Sequence, residues 1–463
     1  DRYASRGLGD VYKRQPAAFT VTMDTNITVA ASASLTVNGS LSDNANTHEL
    51  EIESAGSLSG AGSIEVNEFT FNGGSVISFI GDLEADTVNS VGASITLSAD
   101  ITANSALNVS SGLIDLGGSG SLQLSADATV TIHSVSPSQV ISNGNMICDS
   151  VYNLIYSGTA VQMGAEAGCA GLADLTIDMD NGNAQVILAG DVTVNGTLSL
   201  DQGQLAVGAN ELTINGDLAS GGSGSINGSV ASDVTVNASA SLSGELTFAS
   251  GSEMVHDLTI NMNDSTAEVT MGSDVAVYGE LDMQSGALVL SGNDLTIEGS
   301  GDIASGGSGS ISSDSNSSIF IEAGAALSGE LTLTAGSEDV DTLSVDVGSN
   351  NEVTMGSDVN IHGTLDLESG ALVLATNDLT IEAGGDIESG GNGSVSSDSM
   401  SSIFIEAGAT LSGELTFTAG SEDVDTLSID VGSSNEVTLG SEVEVHGVLD
   451  LESGALVLSL IHI

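Results

Sequence analysis

Residues 342–374 read TLSVDVGSNNEVTMGSDVNIHGTLDLESGALVL, and residues 426–458 repeat them as TLSIDVGSSNEVTLGSEVEVHGVLDLESGALVL. The leucine near the start of this stretch also occurs earlier, so that Leu175, Leu258, Leu343 and Leu427 follow one another at intervals of about 84 residues. A chain that copies itself at a fixed long period is built by stacking units rather than by closing one core. We therefore expect an extended, solenoid-like body.

The local pattern predicts strands rather than helices. Aliphatic residues alternate with small or polar ones in LTI (295–297), VNI (359–361) and TLDL (364–367), and Gly, Asn, Ser or Asp bounds each run. Within one super-repeat the aliphatic pairs recur about every 21 residues, as in Val269 and Leu288 or Leu281 and Ile303. The fold class is therefore expected to be all-β, a right-handed parallel β-helix of about 21 residues per coil, with four coils making one super-repeat of about 84 residues.

The organisation along the chain is expected to be uneven. Residues 16–170 form a less regular N-terminal β-solenoid, and residues 171–457 a tandem-repeat β-solenoid with units starting near residues 175, 258, 343 and 427. The stretch SRGLGDVYKRQ (5–15) resembles a translated sequencing adapter, and LSLIHI (458–463) resembles the translation of its reverse complement. We expect residues 1–15 and 458–463 to be assembly artefacts, and the natural chain to continue in both directions.

The charge is strongly one-sided. The formal net charge is −59, and Arg2, Arg6, Lys13 and Arg14 are the only basic residues besides histidine. Nucleic acid is excluded as a partner, because phosphate binding depends on Lys and Arg. An anionic membrane surface is disfavoured for the same reason. No run approaches the roughly 18 apolar residues of a membrane span, so no membrane insertion is expected within this sequence.

The two cysteines, Cys148 and Cys169, are about 21 residues apart, which is one coil length, so they could occupy equivalent points of adjacent coils. Adjacent coils would bring them close to the Cα separation that a disulfide needs, roughly 4.4–6.8 Å. We predict a disulfide between them in an oxidising compartment. Two buried free thiols are the alternative.

A repeated acidic tetrapeptide is the candidate metal site. The sequence EDVD occurs twice, with oxygen ligands at Glu338, Asp339 and Asp341 and again at Glu422, Asp423 and Asp425. Oxygen-rich corners of this kind can hold calcium, the only cofactor that the sequence suggests. The alternative is a solvated acidic surface.

Other candidate chemistry is weaker. His362 and His446 share a repeat position with Tyr278 and Asn195, which indicates an exposed, outward position rather than a metal or catalytic role. The acids recur with every unit, whereas a catalytic site is a singular constellation, so we expect no enzyme. The rival is a polysaccharide-binding or polysaccharide-cleaving parallel β-helix that uses carboxylates alone.

The stretches GSDVNIHGTLDLESGALVLATNDLTIEAGGDI (356–387) and AGDVTVNGTLSLDQGQLAVGANELTINGDL (189–218) resemble the repeats of bacterial secreted or surface β-solenoid proteins, among them adhesins and autotransporter passengers. The resemblance covers residues 20–457 and implies a structural role. We expect an acidic stalk or adhesin, extracellular or at the cell surface, whose partner is a cell-surface or extracellular-matrix ligand, glycan included.

Overall fold

The structure is a computed structural model that describes residues 13–14, 19–74, 76–96, 100–115, 121–139, 141–142, 145–147, 151–168 and 171–458. It confirms the all-β prediction, with parallel strands stacked as a β-solenoid of about 19 turns and ~22 residues per turn. Cys148 and Cys169 lie outside the described residues, as do 1–12, 15 and 459–463 of the two terminal stretches.

The first of two compact units comprises residues 1–225. Its strands pair in parallel with those of the neighbouring turn, as Leu41 pairs with Ile64. One 3₁₀ helix, Ala165–Ala167, interrupts the described strands. The strands are Lys13–Arg14, Thr20–Thr22, Ile27–Val29, Ser34–Thr36, Ser40–Ser42, Glu49–Ile52, Ser57–Gly60, Ser63–Asn72, Val76–Phe79, Asp82–Thr96, Asp100–Asp115, Ser121–Leu124, Ala128–Gln139, Ile141–Ser142, Asn145–Ile147, Tyr152–Gln162, Leu172–Met179, Gln185–Ile187, Val192–Val194, Thr197–Gln202, Gln204–Ala206, Glu211–Ile214 and Asp217–Leu218.

The second unit comprises residues 226–463 and contains the two nearly identical stretches. Here too each strand pairs in parallel with a strand about one turn away. The strands are Ser225–Asn227, Asp233–Val236, Met254–Val255, Leu258–Asn261, Glu268–Thr270, Val275–Val277, Glu280–Ser285, Ala287–Val289, Leu295–Gly299, Asp302–Ile303, Ser310–Ser313, Ile319–Ala323, Glu330–Leu331, Leu333–Asp346, Glu352–Met355, Val359–Ser369, Ala371–Val373, Leu379–Ile381, Asp386–Ile387, Ser394–Ser397, Ile403–Ile405, Glu414–Leu415, Phe417–Asp430, Glu436–Leu439, Glu444–Ser453 and Ala455–Leu458.

The core consists mainly of aliphatic residues that alternate along each strand, and in the first unit it also contains buried aromatic side chains, among them Phe69, Phe71 and Tyr152. In the strand Leu295–Gly299, Leu295 and Ile297 are fully buried while Thr296 and Glu298 are partly exposed. Each buried aliphatic side chain contributes about 1.5–3 kcal/mol relative to exposure. Because strand side chains alternate between two faces, the other half of each strand remains available for polar residues.

The turns of the solenoid and the super-repeat of the sequence do not coincide. One ladder column of the second unit runs over four unequal turns through Val277, Ile297, Ile321, Val345 and Leu367. The residue equivalent to Val277 in the next super-repeat is Ile361, which comes before Leu367 and pairs with Val340 rather than with Val345. Equivalent residues of successive super-repeats therefore occupy different columns of the solenoid.

Close approach of the turns explains several glycines. A Cβ atom added to Gly222 would lie 2.0 Å from the carbonyl oxygen of Leu200 on the preceding turn. No side chain fits at that distance without moving backbone. By contrast, a Cβ on Gly182 would meet nothing within 4 Å. Only some of the glycine-rich corners are therefore required by packing.

Candidate functional site

Many acidic side chains are used to connect one turn to the next. In the second unit, Asp274 Oδ1 accepts the backbone N–H of Asp294 at 2.9 Å, and Asp294 Oδ1 accepts that of Ser318 at 2.9 Å. The next super-repeat repeats both bonds at 2.8 Å, from Asp378 N to Asp358 and from Ser402 N to Asp378. Carboxylate acceptors make strong hydrogen bonds. These acids therefore satisfy the backbone at the corners.

Asp257 has a similar structural role beside a glycine. Its Oδ1 accepts the backbone N–H of Glu280 at 2.7 Å. A Cβ on the preceding Gly279 would lie 2.2 Å from the same oxygen. The equivalent Gly363 lies against Asp341, whose Oδ1 would be 2.6 Å from an added Cβ. The last acid of EDVD thus packs against a glycine of the following turn.

In the first unit, the buried carboxylate of Asp43 is enclosed by donors. It accepts the backbone N–H of Thr47 at 2.6 Å, and its Oδ1 lies 2.8 Å from His48 Nδ1. Desolvation by burial raises the pKa of Asp43, but the bonds from His48, Thr47 and Ala45 outweigh it and hold the pKa below its ordinary value. In a chain with so few basic residues, a histidine and several backbone N–H groups together stabilise this carboxylate.

The six predicted calcium ligands occupy two equivalent strands, Leu333–Asp346 and Phe417–Asp430. Side chains alternate along a strand, so Asp339 and Asp341 lie on the face opposite the buried Val340. Glu338 is thereby separated from the two aspartates. Glu338 Oε2 instead accepts the backbone N–H of Gly336 at 2.8 Å. Among the described residues, the three acids of one EDVD copy do not form a three-ligand group of their own. Calcium binding by Glu338, Asp339 and Asp341, or by Glu422, Asp423 and Asp425, stays a prediction.

The structure brings one of these six acids into a different group. Asp423 lies directly opposite Glu444 on the neighbouring strand, and His446 Nε2 is 3.0 Å from Asp423 Oδ1 and 4.0 Å from Glu444 Oε1. The hydrogen bond that His446 donates to Asp423 raises the pKa of His446. The predicted exposed position is observed for His446, whereas His362 is only partly exposed and its Nε2 atom is buried. The sequence does not predict the acidic neighbours of His446. The sequence pattern that could have predicted this group is the Glu-x-His spacing of Glu444 and His446, with Asp423 one coil length before Glu444.

A column of carboxylates follows one ladder of the second unit. Glu298 pairs with Glu322, and Asp346 follows Val345, the partner of Ile321. Desolvation raises the pKa of Glu322, and the charges of Glu298, Asp346 and Glu368 raise it further. The carboxylates of this column therefore repel one another; they are Glu298, Glu322, Asp346 and Glu368.

One buried acid in the first unit does not belong to any repeat. Glu166 is fully buried, and its Oε1 accepts the hydroxyl of Tyr156 and the backbone N–H of Gly164, both at 2.8 Å. The backbone carbonyl of Glu166 accepts the hydroxyl of Tyr152 at 2.6 Å. Burial raises the pKa of Glu166, although these bonds partly oppose the effect. These hydrogen bonds join Tyr152, Tyr156 and Glu166 in one buried network, in which Glu166 Oε2 has no partner among the described residues.

A groove of about 330 Å³ lies in the second unit between Ile387 and Leu415. Two carboxylic acids, Glu388 and Glu414, line it, and desolvation with the charge of Glu388 raises the pKa of the adjacent Asp366. Glu388 corresponds to Ala304 in the preceding super-repeat. The groove is lined by aliphatic, small and acidic residues, without an aromatic side chain among the described ones.

Comparison with known proteins adds no family: the chain matches no family model, no curated protein and no solved structure. Within the described part of the chain, no helix has the length and apolar character needed to cross a membrane.

Proposed function

We propose that the protein is a structural extracellular repeat protein, an acidic surface stalk or adhesin. The observation that carries the proposal is the use of the acids. Asp274, Asp294, Asp358 and Asp378 bond the backbone of the following turn and recur with the super-repeat. Acidic residues distributed in this way serve a stacked scaffold, whereas catalysis requires one singular arrangement.

The acidic outer surface also suits a protein whose copies do not associate with one another. Like charges distributed along a body oppose association and keep it soluble. The proposed partner is a ligand at another cell surface or in the extracellular matrix, glycan included. The repeated faces would offer the same polar groups to it several times.

The groove at Glu388 and Glu414 supports a second candidate, a polysaccharide-binding or polysaccharide-cleaving protein. Two carboxylates flanking a groove are the minimum that an inverting glycosidase needs. Glu388→Ala makes the groove resemble the preceding super-repeat, which has Ala304 at this position. This variant is therefore a matched control that the chain itself provides.

Two measurements test the proposal. Antibodies against residues 226–457 are expected to label intact cells that carry the gene, and labelling only after lysis contradicts surface location. The purified chain is expected to release no reducing ends from a panel of acidic and neutral polysaccharides. Release that disappears in Glu388→Ala would replace the structural proposal by the glycan-active one.

A further inference from the structure

The group of Asp423, Glu444 and His446 is positioned by strand pairing. Asp423 and Glu444 are register partners on the parallel strands Phe417–Asp430 and Glu444–Ser453. Glu444 and His446 are two residues apart on one strand and so project from the same face. One ligand atom from each of the three residues lies within 4.8 Å of the others. A parallel pair of strands thus holds three potential ligands together at its surface.

The spacing and chemistry of these atoms fit a metal ion. Nitrogen and oxygen ligands about 2.0–2.2 Å from a common Zn²⁺ ion are separated from one another by roughly 3–4 Å. His446 Nε2 is 3.0 Å from Asp423 Oδ1 and 4.0 Å from Glu444 Oε1. An imidazole with two carboxylates suits first-row transition metals, whereas calcium prefers oxygen alone. Both carboxylates are accessible, so water can complete the coordination.

The preceding super-repeat contains the same arrangement with one ligand missing. His362 Nε2 is 3.2 Å from Asp339 Oδ1, but Asn360 occupies the place of Glu444 and donates its Nδ2 hydrogen to that Oδ1 at 3.1 Å. Asn360 thus replaces a carboxylate ligand by an amide. Its hydrogen bond also occupies the Oδ1 atom of a second potential ligand, Asp339. Asp423 and Glu444 have no amide of this kind between them, so their charges repel each other, and a divalent cation relieves that repulsion.

A third histidine has carboxylate neighbours of a different kind. His256 Nδ1 is 2.9 Å from Asp257 Oδ1 and 3.5 Å from Asp233 Oδ1. Both oxygens already accept backbone N–H groups, from Glu280 and from Asp257 itself. The group of Asp233, His256 and Asp257 therefore belongs to a corner of the solenoid, and we infer no metal site from it.

We propose that Asp423, Glu444 and His446 form a binding site for a divalent first-row transition-metal ion of the Zn²⁺ type. Titration calorimetry of the full chain with Zn²⁺ is the test. Glu444→Asn, which recreates the arrangement at His362, and His446→Ala are each expected to lose one binding event. His362→Ala is the matched control and is expected to keep the stoichiometry of the unmodified chain. Excess Ca²⁺ is expected not to displace the Zn²⁺.

The reverse substitution guards against loss of binding through misfolding. Asn360→Glu supplies the missing carboxylate beside Asp339 and His362 and is expected to add one binding event. Unchanged Zn²⁺ stoichiometry in Glu444→Asn and His446→Ala, or no gained event in Asn360→Glu, overturns the proposal. These results do not depend on where the protein is located or whether it acts on glycans.

Discussion

The carboxylate of Asp294 accepts the backbone N–H of Ser318, one turn further along the solenoid, at 2.9 Å. The same relation holds between Asp378 and Ser402 in the next super-repeat. An acid that bonds the following turn stabilises the stack, although its charge repels its neighbours. The balance between these two effects determines how the protein responds to mutation, salt and pH.

Removal of one such acid is expected to destabilise the second unit. Asp294→Ala leaves the Ser318 N–H without its charged acceptor, which costs about 1.5–3 kcal/mol for a hydrogen bond to a charged group. Urea unfolding followed by circular dichroism measures the effect. Glu352→Ala, which removes an exposed acid from a strand, is the control. Equal unfolding midpoints for the two variants would contradict the role assigned to Asp294.

The glycine corners give a second test, in the first unit. Gly222→Ala places a Cβ 2.0 Å from the Leu200 carbonyl oxygen, and overpacking of this kind costs about 1–3 kcal/mol. Gly182→Ala meets nothing within 4 Å and is expected to leave the melting temperature almost unchanged. Equal melting temperatures of the two variants would contradict the explanation of Gly222 by close approach of the turns.

The buried carboxyl of Glu166 predicts a pH dependence. Its pKa in the folded state is raised above 4.5, so the folded state binds more protons than the unfolded state as the pH rises above that value. Stability is therefore retained below about pH 4.5 and falls as the pH rises towards the folded pKa. Glu166→Gln has no carboxyl group to ionise at this position, so its stability does not fall with pH for this reason. The unmodified protein should become less stable relative to Glu166→Gln with rising pH, and a constant difference would contradict the assignment.

The carboxylate column predicts a response to salt. Unit charges about 4.8 Å apart repel by roughly 1 kcal/mol even in water. Sodium chloride should therefore raise the melting temperature, and Glu322→Gln should raise it at low salt and reduce the salt response. A melting temperature that does not change with sodium chloride contradicts the repulsion argument. An additional effect of calcium at equal ionic strength is the expectation for the EDVD acids.

Alternating aliphatics predicted the buried positions correctly, as at Val359 and Ile361. The period was harder to predict, because corners of different length make the turns unequal, and only the hydrogen-bond register reveals which residues are partners. The EDVD motif alone does not predict the proximity of Asp423 to Glu444, although their separation is one predicted coil length. Burial of Glu166 was also unpredictable, since a single inward acid has no periodic signal.

The register of the ladder is the central claim, and a disulfide measures it directly. Thr296 and Phe320 are partners on adjacent strands, so cysteines at these positions in a Cys148→Ser, Cys169→Ser background should form a disulfide under mild oxidation. Cysteines at Thr296 and Ser317, which a uniform coil of the length expected from the sequence would align, should not. Mass spectrometry that finds the 296–320 crosslink alone supports the stacked parallel ladder, and a 296–317 crosslink without the 296–320 crosslink contradicts it.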